Sequence, residues 1–193
     1  MQTKLGLVQV YTGDGKGKTT ASLGQGLRAI GHHYRIFMIQ FLKTGLSGEV
    51  AYANNHLINF RIEAYGAKCV NDKMHRKDFA AGKFKGCCKK CFDTNKENKP
   101  AAERGFQRAY EVATSGNWDI VILDEVNVVM NMGLIPVESV LRLIKNKHPT
   151  TELVLTGRNA PEEVIKAADL VSEVRRVKHY FDKGVPARMG TEF

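Results

Sequence analysis

Five apolar runs of strand length punctuate the chain at 5–11 (LGLVQVY), 35–41 (RIFMIQF), 58–65 (INFRIEAY), 119–124 (DIVILD) and 152–156 (ELVLT). They are short, mostly continuous rather than alternating, and rich in Val and Ile, which is the pattern of strands covered on both faces. Helical patterns separate them. One runs from Lys18 to about Ile30 and another from roughly Ala101 to Thr114. A third follows Pro136, with Val137, Val140, Leu141 and Ile144 at helical spacing, and a fourth opens at Pro161 and carries Val164, Ile165 and Ala168. Proline suits the first turn of a helix, where its missing N–H has no partner to lose. Strands alternating with helices predict an α/β fold: a mainly parallel sheet with helices on both faces. At 193 residues the chain is long enough for a single domain with a sizeable core, expected to span 1–193.

One segment breaks the alternation. Residues 66–100 hold Lys, Asn, Gly and Cys without sustained periodicity, so a long lid-like insertion is expected there. Across 66–104 eleven Lys or Arg face five Asp or Glu, so this stretch carries most of the chain's formal charge of +9. Charge gathered in one insertion, rather than along a helix or sheet face, argues against a nucleic-acid partner. It fits a solvated loop or an anion-attracting cover over a site. No apolar run approaches the roughly 18 residues of a membrane span, and the apolar start ends at Gly13-Asp14 without a cleavage signal, so a cytoplasmic protein is expected. The four cysteines, Cys69, Cys87, Cys88 and Cys91, all lie in or beside the insertion. In a reducing compartment they are thiols or ligands of a zinc or iron–sulfur site rather than disulfides.

Between the first strand and the first helix stands TGDGKGKTT, residues 12–20. Gly17-Lys18-Thr19 matches the end of the phosphate-loop pattern, but its leading glycine is displaced: position 12 is Thr12 and the glycine is Gly13. Gly13, Gly15 and Gly17 let backbone N–H groups turn inward, Lys18 adds a point charge, and the helix presents its positive end. A polyphosphate is expected there. A dinucleotide fingerprint fails on spacing, because Lys18 stands where helix and strand must pack closely. The second half of a nucleotide site is an acid at the end of a buried strand, and DIVILDE supplies Asp124 and Glu125. Together with the Thr19 hydroxyl they are candidate ligands for Mg²⁺.

Five separated motifs carry a closer likeness. YTGDGKGKTTASLGQGLRAIGHH, IQFLKTG followed by Gly48-Glu49, WDIVILDE, LTGRNAPEEVIKAADLVSEV and the tail VKHYFDKGVPARMGTEF together resemble the phosphate-loop family of ATP:corrinoid adenosyltransferases, nearly from end to end. The resemblance implies a RecA-like fold and a homodimer. It implies transfer of the 5′-deoxyadenosyl group of ATP to Co(I) of cobalamin or of a precursor such as cobyrinic acid a,c-diamide, with triphosphate as the leaving group. It further implies a reduced flavoprotein as electron donor and a nucleotide reversed relative to other phosphate-loop enzymes, which the displaced Gly13 fits.

Carried over by residue, Gly13, Asp14, Gly15, Lys16, Gly17, Lys18, Thr19 and Thr20 form the triphosphate loop. In it Lys18 is the main cation and Lys16 a second. Thr19 and Glu125 are implied Mg²⁺ ligands oriented by Asp124, and Arg28 and Arg158 match positions that contact ATP. Phe92 is the implied wedge that displaces the lower axial ligand of the corrinoid, with His179 and Phe181 as further candidates for that face. GCCKKCF departs from the family's pair of aromatics. A phosphate-loop ATPase or kinase acting at the γ-phosphate is the alternative that the loop alone leaves open.

Overall fold

A computed structural model of the chain describes residues 5–69, 71–86 and 95–193. Its centre is a six-stranded sheet in the order β3-β2-β4-β5-β1-β6, with every neighbouring pair parallel. The strands are β1 (Val8–Thr12), β2 (Ile36–Phe41), β3 (Phe60–Tyr65), β4 (Ile120–Asp124), β5 (Glu152–Thr156) and β6 (Leu170–Glu173). Helices α1 (Lys18–Ile30), α2 (Gly48–His56), α3 (Asp72–Ala80), α4 (Asn95–Thr114), α5 (Val126–Asn131), α6 (Val137–Asn146) and α7 (Glu162–Ala167) connect them. One strand, β5, separates β1 from β4, as in RecA-like phosphate-loop folds.

Continuous apolar runs give buried strands because each face has its own core. In β2, Ile36 and Met38 join Ala29, Ala53, Phe60, Ile62 and Ile122 on the side of α1 and α2. Phe37, Ile39 and Phe41 join Ala109, Val112, Val129, Val140 and Leu143 on the other side, under α4, α5 and α6. All residues of β2, β4 and β5 are buried, so no polar face is available to produce alternation.

The expected parallel sheet is present, and its five anticipated strands start up to three residues later than their apolar runs. Two departures have physical causes. Strand β6 was not anticipated: it is a four-residue edge strand with every side chain exposed, so burial imposes no pattern on it. The insertion is also less loop-like than its composition suggests. It holds α3, and α4 begins at Asn95 with Pro100 inside it, earlier than the start near Ala101 that the sequence pattern predicts.

Candidate functional site

The loop between β1 and α1 turns where its glycines permit. Thr12 is still in β1, paired with Glu173 of β6, and its hydroxyl accepts from the Ala160 N–H at 3.2 Å. The chain therefore leaves the strand at Gly13, with φ +95°, which explains the glycine displaced by one position. A Cβ there would lie 2.5 Å from the Val174 carbonyl oxygen, and one on Gly15 would lie 2.7 Å from that of Arg175. The segment after β6 backs the loop this closely because it is bonded to it: Gly15 N–H donates to Val174 O at 2.7 Å and Val174 N–H to Thr12 O at 2.8 Å. Gly17 meets no neighbour, but its φ of +125° excludes most side chains.

Helix α1 starts at Lys18 without a side-chain cap, so its first N–H groups are available to an anion. The Lys18 ammonium curls back onto the loop and donates to the Gly13 and Gly15 carbonyls, the latter at 2.8 Å. Burial lowers its pKa, which the nearby acids Glu125, Asp14 and Asp124 oppose.

At the end of β4, Asp124 is fully buried and saturated. Its Oδ1 accepts from the Thr19 hydroxyl at 2.8 Å and the Thr156 hydroxyl at 2.7 Å, while Lys43 Nζ donates to Oδ2 at 2.6 Å. Burial by itself would lower the Lys43 pKa, but the attraction and hydrogen bond of Asp124, helped by Glu125 and Glu49, raise it. Glu125 is left-handed at φ +64°, and its N–H donates to Thr156 Oγ1 at 3.1 Å. Burial, then the neighbouring Asp124 charge, raise its pKa against the pull of Lys43, Lys18 and Arg158. An acid kept from easy ionisation beside three cations favours whatever adds positive charge, whether a proton or a metal. Thr19 and Glu125 thus supply hard oxygen donors of the kind Mg²⁺ takes, with the buried Asp124 bonded to the Thr19 hydroxyl.

Thr19 and Glu125 line a cavity of about 570 Å³ together with Lys43, Glu49, Arg158, His179 and the tail residues Gly190–Phe193. Buried Gln40 donates to Glu49 at 3.2 Å. Lys16, also in the lining, donates to Thr191 O at 2.8 Å and lies 3.8 Å from Glu192. A second cavity of about 320 Å³ opens beside it and shares Lys43, Glu49, Glu192 and Phe193. Its other walls are Leu42–Ser47, Phe84–Gly86 and Ala187, with the Phe84 and Phe193 rings edge to face at 5.1 Å. The pair of cavities therefore offers a cationic chamber sized for a polyphosphate next to one with aromatic walls.

The sequence pattern described as ATP:corrinoid adenosyltransferase BtuR/CobO/CobP matches residues 4–193. The chain belongs to the ATP:corrinoid adenosyltransferase family. It is similar to the corrinoid adenosyltransferase of Escherichia coli (strain K12), 32% identical with 100% of this chain and 88% of the relative covered. It is also similar to the corrinoid adenosyltransferase of a Sinorhizobium species, 34% identical over 97% of this chain and 80% of that one. The corrinoid adenosyltransferase CobA of Salmonella typhimurium (strain LT2) is 30% identical, with 100% and 88% covered.

Of the residues to which the family resemblance gave roles, the structure gathers Asp14–Thr20, Glu125, Arg158 and His179 around the first cavity, with Gly13 at the loop's base and Asp124 directly beneath. Arg28 is not brought there: it is exposed in the last turn of α1, about 15 Å along the helix from Lys18. Phe181 is 68% exposed on a single 3₁₀ turn and lines neither cavity. Phe92, Cys87, Cys88 and Cys91 lie outside the described residues. Among the described residues no group of three or more His, Cys, Asp or Glu is placed to hold a metal ion. No described helix is long and apolar enough to cross a membrane.

Lys43, Glu49 and the tail residues Gly190–Phe193 received no role from the sequence, although all fall within the recognised motifs. They come from segments remote from the loop, and only the sheet order brings them to it.

Proposed function

We propose that the chain transfers the 5′-deoxyadenosyl group of ATP to Co(I) of a corrinoid and releases inorganic triphosphate. The observation that carries this reading is the shared wall of the two cavities. A triphosphate gripped by the loop, Lys16, Lys18 and Arg158 leaves the ribose end free to face the second, aromatic-walled cavity, where the corrinoid approaches. Co(I) supplies the electron pair, the Co–C5′ bond forms, and the C5′–O bond breaks with its electrons going to the triphosphate. The protein then needs little acid–base chemistry. Its residues hold the reactants in line and stabilise charge growing on the leaving oxygen. Lys18 does so by exchanging its carbonyl partners for phosphate oxygens.

Mg²⁺ held by Thr19 and Glu125, with Asp124 orienting the threonine hydroxyl, would neutralise part of the triphosphate charge. Phe84 and Phe193 present an apolar face to the macrocycle. Reduction of the cobalt by a flavoprotein, a homodimeric assembly and a cytoplasmic setting belong to the same reading.

The test is incubation of the protein with ATP, Mg²⁺ and chemically reduced cobalamin. A light-sensitive alkylcobalamin spectrum is expected. ADP and phosphate with no change at cobalt would overturn the proposal in favour of attack at the γ-phosphate.

A further inference from the structure

Among the described residues the two cavities meet at Lys43, Glu49, Glu192 and Phe193. In the reaction proposed above the triphosphate fills the first cavity and the corrinoid approaches through the second, so the bond between C5′ and the α-phosphate oxygen lies across this shared wall. Negative charge grows on that oxygen as the bond breaks, and a cation already in place beside it lowers the barrier. Lys16, Lys18 and Arg158 line the first cavity only, and Lys85 the second only. Among the described residues Lys43 is the one cation in both linings. The two acids of the wall oppose charge on the leaving oxygen, which makes a cation there more necessary. Each acid has a partner of its own: Gln40 donates to Glu49 at 3.2 Å, and Arg188 Nε lies 3.4 Å from Glu192.

The backbone fixes where Lys43 stands. Strand β2 pairs with β4, with Gln40 opposite Asp124, so both strands end at the sheet edge where parallel α/β folds bind their ligands. Leu42 then turns the chain at a left-handed φ of +60°, and its N–H donates to Tyr65 O at 3.1 Å. Gly66 backs the turn so closely that a Cβ there would lie 2.6 Å from the Lys43 carbonyl oxygen. The ammonium itself is anchored on Asp124 Oδ2 at 2.6 Å, and its side chain keeps 30% of its surface. An ammonium has three N–H donors, so this anchor leaves others for a phosphate oxygen.

Resting on the adenosyl-transfer reading, we propose that Lys43 is a catalytic residue whose ammonium, held by Asp124, donates to the α-phosphate oxygen from which C5′ departs. Cobalt supplies the electron pair of the new Co–C5′ bond and passes from Co(I) to Co(III), while the pair of the C5′–O bond stays on the triphosphate. Lys43 keeps its proton, because the triphosphate leaves as an anion. Lys18 meets the triphosphate from within the first cavity, and Lys43 meets the leaving oxygen from the wall beside the corrinoid.

The test is the single-turnover rate of cobalt alkylation with ATP, Mg²⁺ and chemically reduced cobalamin, with ATP affinity measured separately in the absence of corrinoid. In Lys43→Met the rate is expected to fall by about a hundredfold, the size of losing one oxyanion donor, with ATP affinity within about threefold of wild type. Lys43→Met also strands the Asp124 carboxylate, so Lys43→Gln serves as a second variant: its amide still donates to Asp124 but carries no charge. Its rate is expected to fall by more than about tenfold, again with ATP affinity retained, which reports a folded site. Lys43→Arg restores the charge and is expected to stay within about tenfold of wild type. Alkylation by Lys43→Gln within about tenfold of wild type, ATP affinity lost by the same factor as the rate, or Lys43→Arg falling as far as Lys43→Gln would overturn this role and leave the adenosyl transfer standing. A wild-type protein that forms no alkylcobalamin would overturn the proposed function, and this role with it.

Discussion

The Asp124–Lys43 ion pair provides a measurable test of how the end of β4 is built. Asp124 is completely buried, whereas the Lys43 side chain keeps 30% of its surface, and the two approach to 2.6 Å. At that distance and an effective dielectric constant of about 20, the direct attraction is roughly 6 kcal/mol, most of it offset by the cost of removing both charges from water.

The variant Asp124→Asn keeps an oxygen that accepts from Thr19 and Thr156 but turns an amide donor toward the Lys43 ammonium. It is expected to destabilise the protein by about 2–3 kcal/mol, less than for a sealed pair because Lys43 can swing toward the cavity. Lys43→Met leaves a sealed carboxylate with hydroxyl donors alone and is expected to cost about 3–4 kcal/mol. In the double variant neither charge remains, so the total should be about 3–4 kcal/mol rather than the sum of the two. Lys43 has its pKa raised above 10.5, so the pair's contribution is complete below that pH and is lost as pH rises through the folded value. Urea unfolding at pH 7 therefore reads it in full. Single-variant costs that add to within about 0.5 kcal/mol would refute the coupling.

Other consequences follow from the same geometry. Lys18→Ala should leave the fold intact, yet lower adenosylation by about a thousandfold, since it removes about 4 kcal/mol of interaction with the leaving group; activity within about tenfold of wild type would contradict its role. Gly13→Ala combines positive φ with a 2.5 Å clash against Val174 O and should cost about 3–5 kcal/mol in thermal or urea unfolding. Gly17→Ala, with strain alone, should cost about 1–3 kcal/mol. Gly24→Ala, in open space on α1, should stabilise by about 0.5–1 kcal/mol. Glu125 has its pKa raised above 4.5, so the folded state holds its proton longer than the unfolded chain and the nucleotide-free protein loses stability as pH rises through that interval. Glu125→Gln should remove that loss and raise stability at pH 7, while weakening Mg²⁺-dependent ATP binding by about tenfold or more. An unchanged pH profile with unchanged binding would count against Glu125 as a site residue.

What the sequence revealed tracks what burial enforces. Strands β2, β4 and β5 are enclosed on both faces, so their apolar runs are unmistakable. Strand β6 has no such constraint, and the chain that follows it, which makes Gly13 and Gly15 necessary, could not be paired with the loop before the sheet order was known. Lys18, Thr19 and the Asp124–Glu125 step were legible because the phosphate loop and an acidic strand end each fit within a few residues. The Lys43–Asp124 contact joins positions far apart in the chain, and no local pattern announces it. Arg28 shows the converse: it lies in a recognisable motif, but the length of a helix separates it from the loop. Cys69 lay in the cysteine-bearing stretch that the composition singled out, whereas its contact with His75 arises only through the first turn of α3, which no periodicity announced.

In the proposed reaction the bond broken lies at the sugar and not between phosphates. ATP carrying oxygen-18 at the position that bridges C5′ and the α-phosphorus distinguishes the two when turned over with Mg²⁺ and reduced cobalamin. Inorganic triphosphate that retains the label, formed in equal amount with adenosylated cobalamin, is the expected product. Unlabelled phosphate and ADP still bearing the label, with cobalt unalkylated, would contradict that reaction.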